Sequence, residues 1–346
     1  MMKLAVLFLN LGGPASLKEV RPFLVNLFSD PDVLPLPFFQ KPLAQLIAFQ
    51  RKRRSQSYYR AIGGGSPLQR ITQDQAKILE EKLKERFSEV KVYVAMRYSK
   101  PTTEEAWEQI IQDQMTHLLI LPLYPQCSMT TTVSSIKELR AVMAKKPYSL
   151  EQKWLIHSWF DHPLYIDVWA KKISLTLQRL PSEYHQGKVD VVFSAHSIPV
   201  KYVEKGDVYQ DQIKDTVRKI IKKLSHPEKA SHPERLVRRS FSEGGSEGSI
   251  QWYLSYQSKL GPIAWLEPST LGLLKTLSKQ NPKRAIVMVP ISFVSDHVET
   301  LYEIDILYKK EAQKLGIPYF TRVESLNTAP EFITVLEDLV VKRVSV

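Results

Sequence analysis

Short apolar runs alternate with longer amphipathic segments along almost the whole chain, and this alternation constrains the fold more than any other feature. The apolar runs predict strands at Leu4–Leu11, Val90–Met96, His117–Leu123, Val189–Ser194, Trp252–Tyr256 and Ala285–Phe293. The amphipathic segments predict helices that include Gln73–Arg86, Thr103–Gln114, Tyr209–Leu224 and Val298–Leu315. Nearly continuous apolar strands separated by helices are typical of parallel sheets that are covered on both faces. The sequence therefore predicts an α/β fold.

The chain has 346 residues, which is long for a single hydrophobic core. We expect two domains, at 1–150 and 151–328. The last helical segment, within 329–346, can complete the first domain or pack on the second, and the sequence leaves this open. The stretch 225–249 is rich in Gly, Ser and Glu, and we expect it to be an exposed, mobile insertion in the second domain.

The charge balance favours anionic partners, because 48 Lys and Arg face 36 Asp and Glu and give a formal charge of +12. No recognised nucleic-acid-binding module accompanies this charge, so nucleic acid is not expected as a partner. The single cysteine, Cys127, argues against a disulfide framework and favours a cytoplasmic protein. The stretch 34–54 is rich in Pro, Phe and Leu and ends in basic residues. It predicts either a cover for the core or an apolar lip beside a pocket or a membrane surface.

Four proton-binding side chains follow the last predicted strand: Asp296, His297, Glu299 and Glu303. One interpretation is structural, since Asp296 with Glu299 three residues later matches a capping box. The other is functional, because Glu299 and Glu303 are four residues apart and share a helix face. That helix starts just beyond the carboxyl end of a strand, where open parallel sheets place their ligand sites.

A second group lies in "VVFSAHSIP", where a strand delivers His196 to the same kind of sheet edge. A lone histidine is usually an ordinary polar residue. An imidazole that faces a pair of carboxylates can instead bind a divalent metal ion or move protons. The glycine-rich turns "LNLGGP" and "YYRAIGGGSP" lack the spacing of a dinucleotide-binding fingerprint or a P-loop.

Taken in order, these segments resemble the ferrochelatase family. The matching motifs are "LNLGGP", "YYRAIGGGSP", "AMRYSKP", "LPLYPQCSMTTT", "FSAHSIP" with "GDVYQDQ", "YQSKLGPIAWLEPST", "SDHVETLYEIDILY" and "ESLNTAPEFI". They run from about residue 4 to the C-terminus, and their order is more specific than any one of them. The resemblance implies two Rossmann-like, chelatase-like domains, each a parallel sheet flanked by helices, with a porphyrin cleft between them.

The resemblance also implies roles for particular residues. His196 would face the porphyrin centre as metal ligand or acceptor of pyrrole protons, and Glu299 would approach the same centre and contact the metal. Glu303 would lie deeper on a carboxylate path, with Asp296 and His297 shaping the site. Residues implied in porphyrin binding are Arg51, Tyr59, Ser66, Arg97, Tyr98, Trp265 and Phe293. One departure is Leu307, which stands where many members carry a further acidic residue.

The implied activity is insertion of ferrous iron into protoporphyrin IX to form protohaem, with iron as a substrate and no required cofactor. The chain lacks the C-terminal cysteines that hold an iron–sulfur cluster in animal members, so no cluster is expected. The alternatives are a coproporphyrin ferrochelatase, another tetrapyrrole chelatase, or a non-catalytic haem-binding protein. We expect a cytoplasmic monomer or homodimer with peripheral contact to the inner membrane.

Overall fold

The computed structural model describes residues 2–34, 39–184, 188–225, 250–259, 263–280 and 282–344. Apart from Ser225, the insertion expected at 225–249 lies outside the described residues, as do residues 35–38 of the apolar stretch. Across these described ranges, none of the helices is both long enough and apolar enough to span a bilayer.

The chain divides into two units whose boundaries follow strand pairing. The first contains Met1–Trp159, Val294–Val298 and Asn327–Val346, and the second contains Phe160–Phe293 and Glu299–Leu326. The first unit continues beyond the expected boundary at 150 because a short strand at Gln152–Leu155 pairs with the sheet that precedes it. That strand was not predicted, since only four residues form it and two of them are polar and exposed.

The sheet of the first unit consists of β1 (Leu4–Asn10), β2 (Val90–Met96), β3 (His117–Pro122) and β4 (Gln152–Leu155). Their order is β2-β1-β3-β4 and every pairing is parallel. Every residue of β1 is buried, as expected for a central strand that is covered on both faces. The three predicted strands in this unit agree with the structure to within one residue.

Helices cover this sheet, and their apolar faces supply its core. They are α1 (Val20–Phe28), α2 (Gln40–Ala61), α3 (Leu68–Leu83), α4 (Thr103–Gln112), a first π-helix (Met129–Val133) and α5 (Ser134–Lys145). The start of α4 is fixed by a capping box between Thr102 and Glu105. Trp107 of α4, Leu118 of β3 and Leu139 of α5 pack in one buried cluster. Each such buried apolar side chain stabilises the fold by roughly 1.5–3 kcal/mol.

The second unit repeats the same plan. Its strands are β5 (Val189–His196), β6 (Gln251–Gln257), β7 (Ala285–Val289) and β8 (Phe320–Arg322), in the order β6-β5-β7-β8 and all parallel. Its helices are α6 (Pro163–Gln178), α7 (Val200–Glu204), α8 (Tyr209–Ser225), α9 (Thr270–Gln280), a second π-helix (Glu299–Tyr308) and α10 (Lys309–Lys314). The predicted α/β class with parallel sheets flanked by helices is confirmed.

Two strand ends in the second unit differ from the prediction by two residues or more. β5 reaches His196 instead of ending at Ser194, so the histidine itself belongs to the sheet. β7 ends at Val289 instead of Phe293, because Pro290 has no N–H to continue the ladder. The chain beyond Pro290 is therefore irregular, and it carries Ser292 and Phe293.

The helix predicted over Val298–Leu315 is present, but most of it is not α-helical. Residues Glu299–Tyr308 form a π-helix, and only Lys309–Lys314 are α-helical. The buried residues Thr300, Ile304 and Tyr308 recur every four positions, a longer repeat than the 3.6 residues of an α-turn. In a π-helix the backbone bonds join residues five apart, and such turns are frequent at functional sites.

The last helix, α11 (Pro330–Val344), is grouped with the first unit. Phe332 stacks on Trp159 with ring centroids 6.1 Å apart. Lys82 of α3 lies 3.3 Å from the Glu337 carboxylate. The C-terminal segment thus completes the core of the domain in which the chain begins.

Candidate active site

His196 stands at the carboxyl end of β5, and its backbone is held on both sides. Its N–H donates to Ser292 Oγ at 2.9 Å, and its carbonyl accepts from the Tyr209 hydroxyl at 2.9 Å. Tyr209 comes from the "GDVYQDQ" motif, and burial raises the pKa of Tyr209, so its hydroxyl stays protonated and remains a donor. The structure thereby gives one physical reason why "FSAHSIP" and "GDVYQDQ" occur together.

The imidazole of His196 is fixed in one tautomer. Its Nδ1 lies 2.7 Å from the Ser197 carbonyl oxygen. A carbonyl can only accept, so Nδ1 carries the hydrogen and the neutral ring presents a lone pair at Nε2. The ring also meets Phe293 edge-on, with centroids 6.2 Å apart and planes at 83°. A half-buried imidazole with a lone pair on Nε2 can accept a proton or ligate a metal ion.

Glu299 is the first residue of the second π-helix and is half-buried. Its carbonyl accepts from Gln257 Nε2 at 3.0 Å. Gln257 ends β6, the strand beside β5, and Ser197 N–H donates to the Gln257 carbonyl at 2.9 Å. One residue therefore connects the end of the histidine strand with the start of the acidic helix.

Glu303 lies one turn further along the same helix. Its Oε1 accepts from Ser258 N–H at 3.0 Å and from the Tyr308 hydroxyl at 2.7 Å. Its Oε2 accepts from Gln257 Nε2 at 3.1 Å and from the Ser258 hydroxyl. Four protein donors thus converge on one carboxylate.

Asp296 and His297 belong to the first unit, where two residues remote in sequence hold their segment. Asp296 N–H donates to Asn327 Oδ1 and Asn327 Nδ2 donates to Asp296 Oδ2, both at 2.8 Å. His297 Nδ1 donates to the Ser295 carbonyl at 3.0 Å, and Gln75 Nε2 donates to Ser295 Oγ at 2.9 Å. The π-helix begins at Glu299, three residues after Asp296.

Arg97 and Tyr98, also in the first unit, share the carboxylate of Asp30. Arg97 Nη2 donates to Asp30 Oδ2 at 2.8 Å, and the Tyr98 hydroxyl donates to it at 2.7 Å. The Ser134 hydroxyl donates to the same oxygen at 2.5 Å. Burial alone would raise the pKa of Asp30. The hydrogen bonds from Ser134, Tyr98 and the Asp32 N–H, together with the Arg97 charge, outweigh burial and lower the pKa. Tyr98 is 1% exposed, so its hydroxyl acts within this cluster.

Arg51, Tyr59 and Ser66 lie on or just after α2 in the first unit. The Arg51 guanidinium sits 6.0 Å from the centre of the Phe28 ring, and burial, with Arg54 nearby, lowers the pKa of Arg51. Tyr59 is buried at 5% exposure. Ser66 N–H donates to the Pro14 carbonyl at 2.7 Å, which joins the "GGGSP" turn to the "LNLGGP" turn.

Close contacts with neighbouring loops explain one glycine in each of these two turns. A Cβ at Gly65 would lie 2.2 Å from the Ala15 carbonyl oxygen. A Cβ at Gly12, where φ is +86°, would lie 2.3 Å from the Ser99 hydroxyl of the "RYSKP" motif. The glycines thus serve close packing among three motif loops, which sequence spacing alone did not indicate.

Trp265 lies in the second unit, where a backbone bridge pairs it with Pro199, three residues after His196. Its indole N–H is buried and has no hydrogen-bond partner among the described residues. His196, Phe293, Glu299, Glu303 and Trp265 all belong to the second unit, while the other implied site residues belong to the first. In the part of the chain that the structure describes, no group of three His, Cys, Asp or Glu side chains is arranged to hold a metal ion.

Sequence reasoning missed the residues that hold the site. Gln257, Ser258 and Tyr308 surround Glu303, while Asp30 and Asn327 hold groups in the first unit. Gln257 and Ser258 lie inside the quoted motif "YQSKLGPIAWLEPST", which was the available signal. Their residue types suggest no chemistry of their own, so only the contacts show what they do.

Substitution of Asp30 by asparagine should destabilise the first unit. The change removes the closer carboxylate partner of Arg97, at 2.8 Å, and leaves the more distant Glu138 carboxylate at 3.7 Å. We expect the free energy of unfolding to fall by about 3 kcal/mol. Because the folded-state pKa of Asp30 is lowered, its contribution is present above the ordinary value of 3.8 and is lost as the pH falls through the folded value. Urea unfolding of the wild type should therefore lose stability below that pH more steeply than the variant.

Asp32→Asn is the matched control, because Asp32 is a nearby aspartate whose carboxylate pairs with the exposed Lys137. This variant should keep the acid dependence of the wild type. The same acid profile for wild type and Asp30→Asn would contradict the assignment of that dependence to Asp30.

Known proteins resemble this chain over nearly its full length. The sequence matches the ferrochelatase family profile over residues 3–344. A ferrochelatase from Gloeothece citriformis is 44% identical over 349 residues, covering 100% of this chain and 84% of that protein. A ferrochelatase from Aquifex aeolicus is 44% identical over 344 residues, covering 99% of this chain and 100% of that protein.

A solved structure of SirB from Bacillus subtilis with Fe3+ is similar in fold, with a TM-score of 0.52 at 11% identity. The match covers 99% of this chain and 95% of that one, and at this identity the likeness concerns the fold alone. The sequence relatives carry the assignment to a family. With a family match over nearly its full length and relatives at 44% identity, this chain is a member of the ferrochelatase family.

Proposed function

We propose that this chain inserts ferrous iron into protoporphyrin IX and releases protohaem, as a metal chelatase of the lyase class. The observation that carries the proposal is the fixed imidazole of His196, whose Nδ1 is bonded to a carbonyl and whose Nε2 presents a lone pair at a sheet edge. The family assignment supports the same reaction. Iron enters this proposal as a substrate, and no organic cofactor takes part in it.

The chemistry needs proton acceptors, because metallation of a porphyrin removes two pyrrole protons. An imidazole and a carboxylate are the side chains best suited to accept protons near neutral pH, and both can contact a divalent metal ion in transit. We assign these tasks to His196 and Glu299, whose backbones are connected through Gln257. Asp296 and His297 directly precede the helix, and we assign them to shaping the site.

Porphyrin binding is assigned to a basic and an aromatic set. Arg51 is the best candidate for a propionate, because a partly desolvated guanidinium gains from a carboxylate partner. Arg97, Tyr59 and Ser66 belong to the same set, and the enclosed Tyr98 supports Arg97 through Asp30. In the second unit, Phe293 and Trp265 provide apolar surface for the macrocycle.

We further propose a cytoplasmic protein that touches the membrane surface through the start of α2. Phe39, Leu46 and Phe49 are 80%, 52% and 65% exposed. Their spacing places them along one side of the helix, and Arg53 and Arg54 follow within two turns. Exposed aromatic and aliphatic residues beside basic ones suit an interface with anionic lipid head groups.

The proposal is tested by following the absorption bands of the free porphyrin under anaerobic conditions with ferrous iron and without ATP. Protoporphyrin IX should be metallated, and coproporphyrin III should react more slowly. Faster turnover of coproporphyrin would assign the chain to that activity instead. A porphyrin that binds and stays unmetallated would favour a non-catalytic binding protein.

A further inference from the structure

The carboxylate of Glu303 has no acceptor capacity left for a metal ion. An ionised carboxylate offers about four lone-pair sites. The four donors come from Gln257, Ser258, which gives both its N–H and its hydroxyl, and Tyr308. A metal ion could reach either oxygen only if one of these hydrogen bonds broke.

The hydrogen-bond donors to the Glu303 carboxylate are held in fixed positions. Tyr308 is 3% exposed, and burial, together with the Glu303 charge, raises its pKa, so the hydroxyl remains a donor at any working pH. Its position five residues after Glu303 matches the five-residue step of the π-helix. An α-helix would place Tyr308 differently relative to Glu303, so the bond and the unusual helix depend on each other.

The backbone conformation of Ser258 also holds its donors in place. Its φ is +65°, a left-handed conformation that is unfavourable for a residue with a Cβ. In this conformation Ser258 aims both of its donors at the Glu303 carboxylate. A strained residue whose two donors both bind one carboxylate indicates that the position of that carboxylate is functionally important.

Gln257 extends this cluster to the proposed catalytic residues. Its Oε1 accepts from Ser194 at 2.6 Å, two residues before His196 on β5. Its Nε2 donates to both the Glu299 carbonyl and the Glu303 carboxylate. The anchored Glu303 therefore fixes the start of the π-helix, and with it Glu299, relative to the strand that carries His196.

We propose that Glu303 is a positioning residue that anchors the π-helix and aligns Glu299 with His196, and that it does not carry the metal ion. Leu307, one turn later, is consistent with this role, since no further carboxylate stands there to continue a metal path. The proposal rests on the proposed function, because alignment of these two groups matters only if they act together on one substrate.

Steady-state kinetics with varied ferrous iron and saturating protoporphyrin separate anchoring from metal transport. We expect Tyr308→Phe to lower kcat by about 3- to 10-fold and Glu303→Gln by more, with the KM for iron changed less than about 2-fold in both. The double variant should be no worse than Glu303→Gln, because both changes disrupt one cluster. Tyr319→Phe, whose ring packs on Tyr184 in the same unit, is the matched control and should behave as wild type.

A transport role would give the opposite pattern. Glu303→Gln would raise the KM for iron by about 10-fold or more with kcat retained, and Tyr308→Phe would have no effect. That result would overturn the proposal. Ser258→Gly supplies a milder variant, since it removes the hydroxyl but relieves the strained φ, and it should lower kcat without loss of thermal stability.

Amide hydrogen exchange over residues 298–308 tests the anchor without relying on turnover. Protection there should fall in Glu303→Gln and Tyr308→Phe and stay unchanged in Tyr319→Phe. Unchanged protection in the first two variants would overturn the anchor even if the chain is an active chelatase. Reduced protection in a chain that never metallates porphyrin would leave the anchor standing and would refute the proposed function instead.

Discussion

Replacing His196 by alanine should lower kcat for iron insertion by about 10²- to 10⁴-fold, the usual contribution of a general base. The physical reason is the loss of Nε2, whose lone pair is available because Nδ1 donates to the Ser197 carbonyl. Porphyrin affinity should change little, since Arg51, Phe293 and Trp265 are untouched. Stopped-flow absorption under anaerobic conditions measures the rate, and fluorescence of the free porphyrin measures binding.

His157→Ala is the matched control for this variant, because His157 is exposed and lies in the first unit. It should retain wild-type turnover. Added imidazole should restore part of the activity of His196→Ala but have no effect on the control. If His196→Ala kept more than about a tenth of the wild-type kcat, the assignment of His196 as proton acceptor would be wrong.

Replacing Glu299 by glutamine should lower kcat by about 10²- to 10³-fold. Glutamine keeps the shape and the helix, and the bond from Gln257 reaches the backbone carbonyl of residue 299, so that contact survives. What is lost is a proton-accepting and metal-attracting carboxylate. We therefore expect folding stability within about 0.5 kcal/mol of wild type beside a large kinetic defect.

Glu324→Gln is the control for Glu299→Gln. Its side chain is 79% exposed, and it pairs with Lys172 at 3.7 Å in the same unit. Glu324→Gln should have the same kcat as wild type. Because His196 and Glu299 act on one substrate, the double variant His196→Ala, Glu299→Gln should be less impaired than the product of the two single defects. Fully multiplicative defects would indicate that the two residues act independently.

The strand pattern was predictable because buried parallel strands leave a strong apolar signal. β2 was placed to the residue, and β1 and β3 to within one residue. The sequence did not predict β4 and β8, because edge strands of four and three residues carry little apolar periodicity. The C-terminal helix was predicted, but its place in the first unit depended on contacts such as Phe332 with Trp159, which no local pattern contains.

The sequence indicated the titratable residues of the site. It did not indicate the residues that hold them in place. His196 and Glu299 stood out because their residue types carry chemistry and follow strands. The π-helix gave only a weak sign, the four-residue spacing of Thr300, Ile304 and Tyr308. For Ser258 and Gln257 the sequence gave no sign beyond the motif that contains them. Their role depends on a left-handed φ and on hydrogen bonds across about 45 residues of chain.

A crystal structure of this chain with metal-free protoporphyrin IX bound would show whether His196 and Glu299 face the same ring. We predict that His196 Nε2 lies within about 3 Å of the pyrrole nitrogens and that the Glu299 carboxylate is directed toward the same ring centre. A porphyrin bound elsewhere, or a ring centre facing neither the imidazole nor the carboxylate, would rule out the roles proposed for His196 and Glu299.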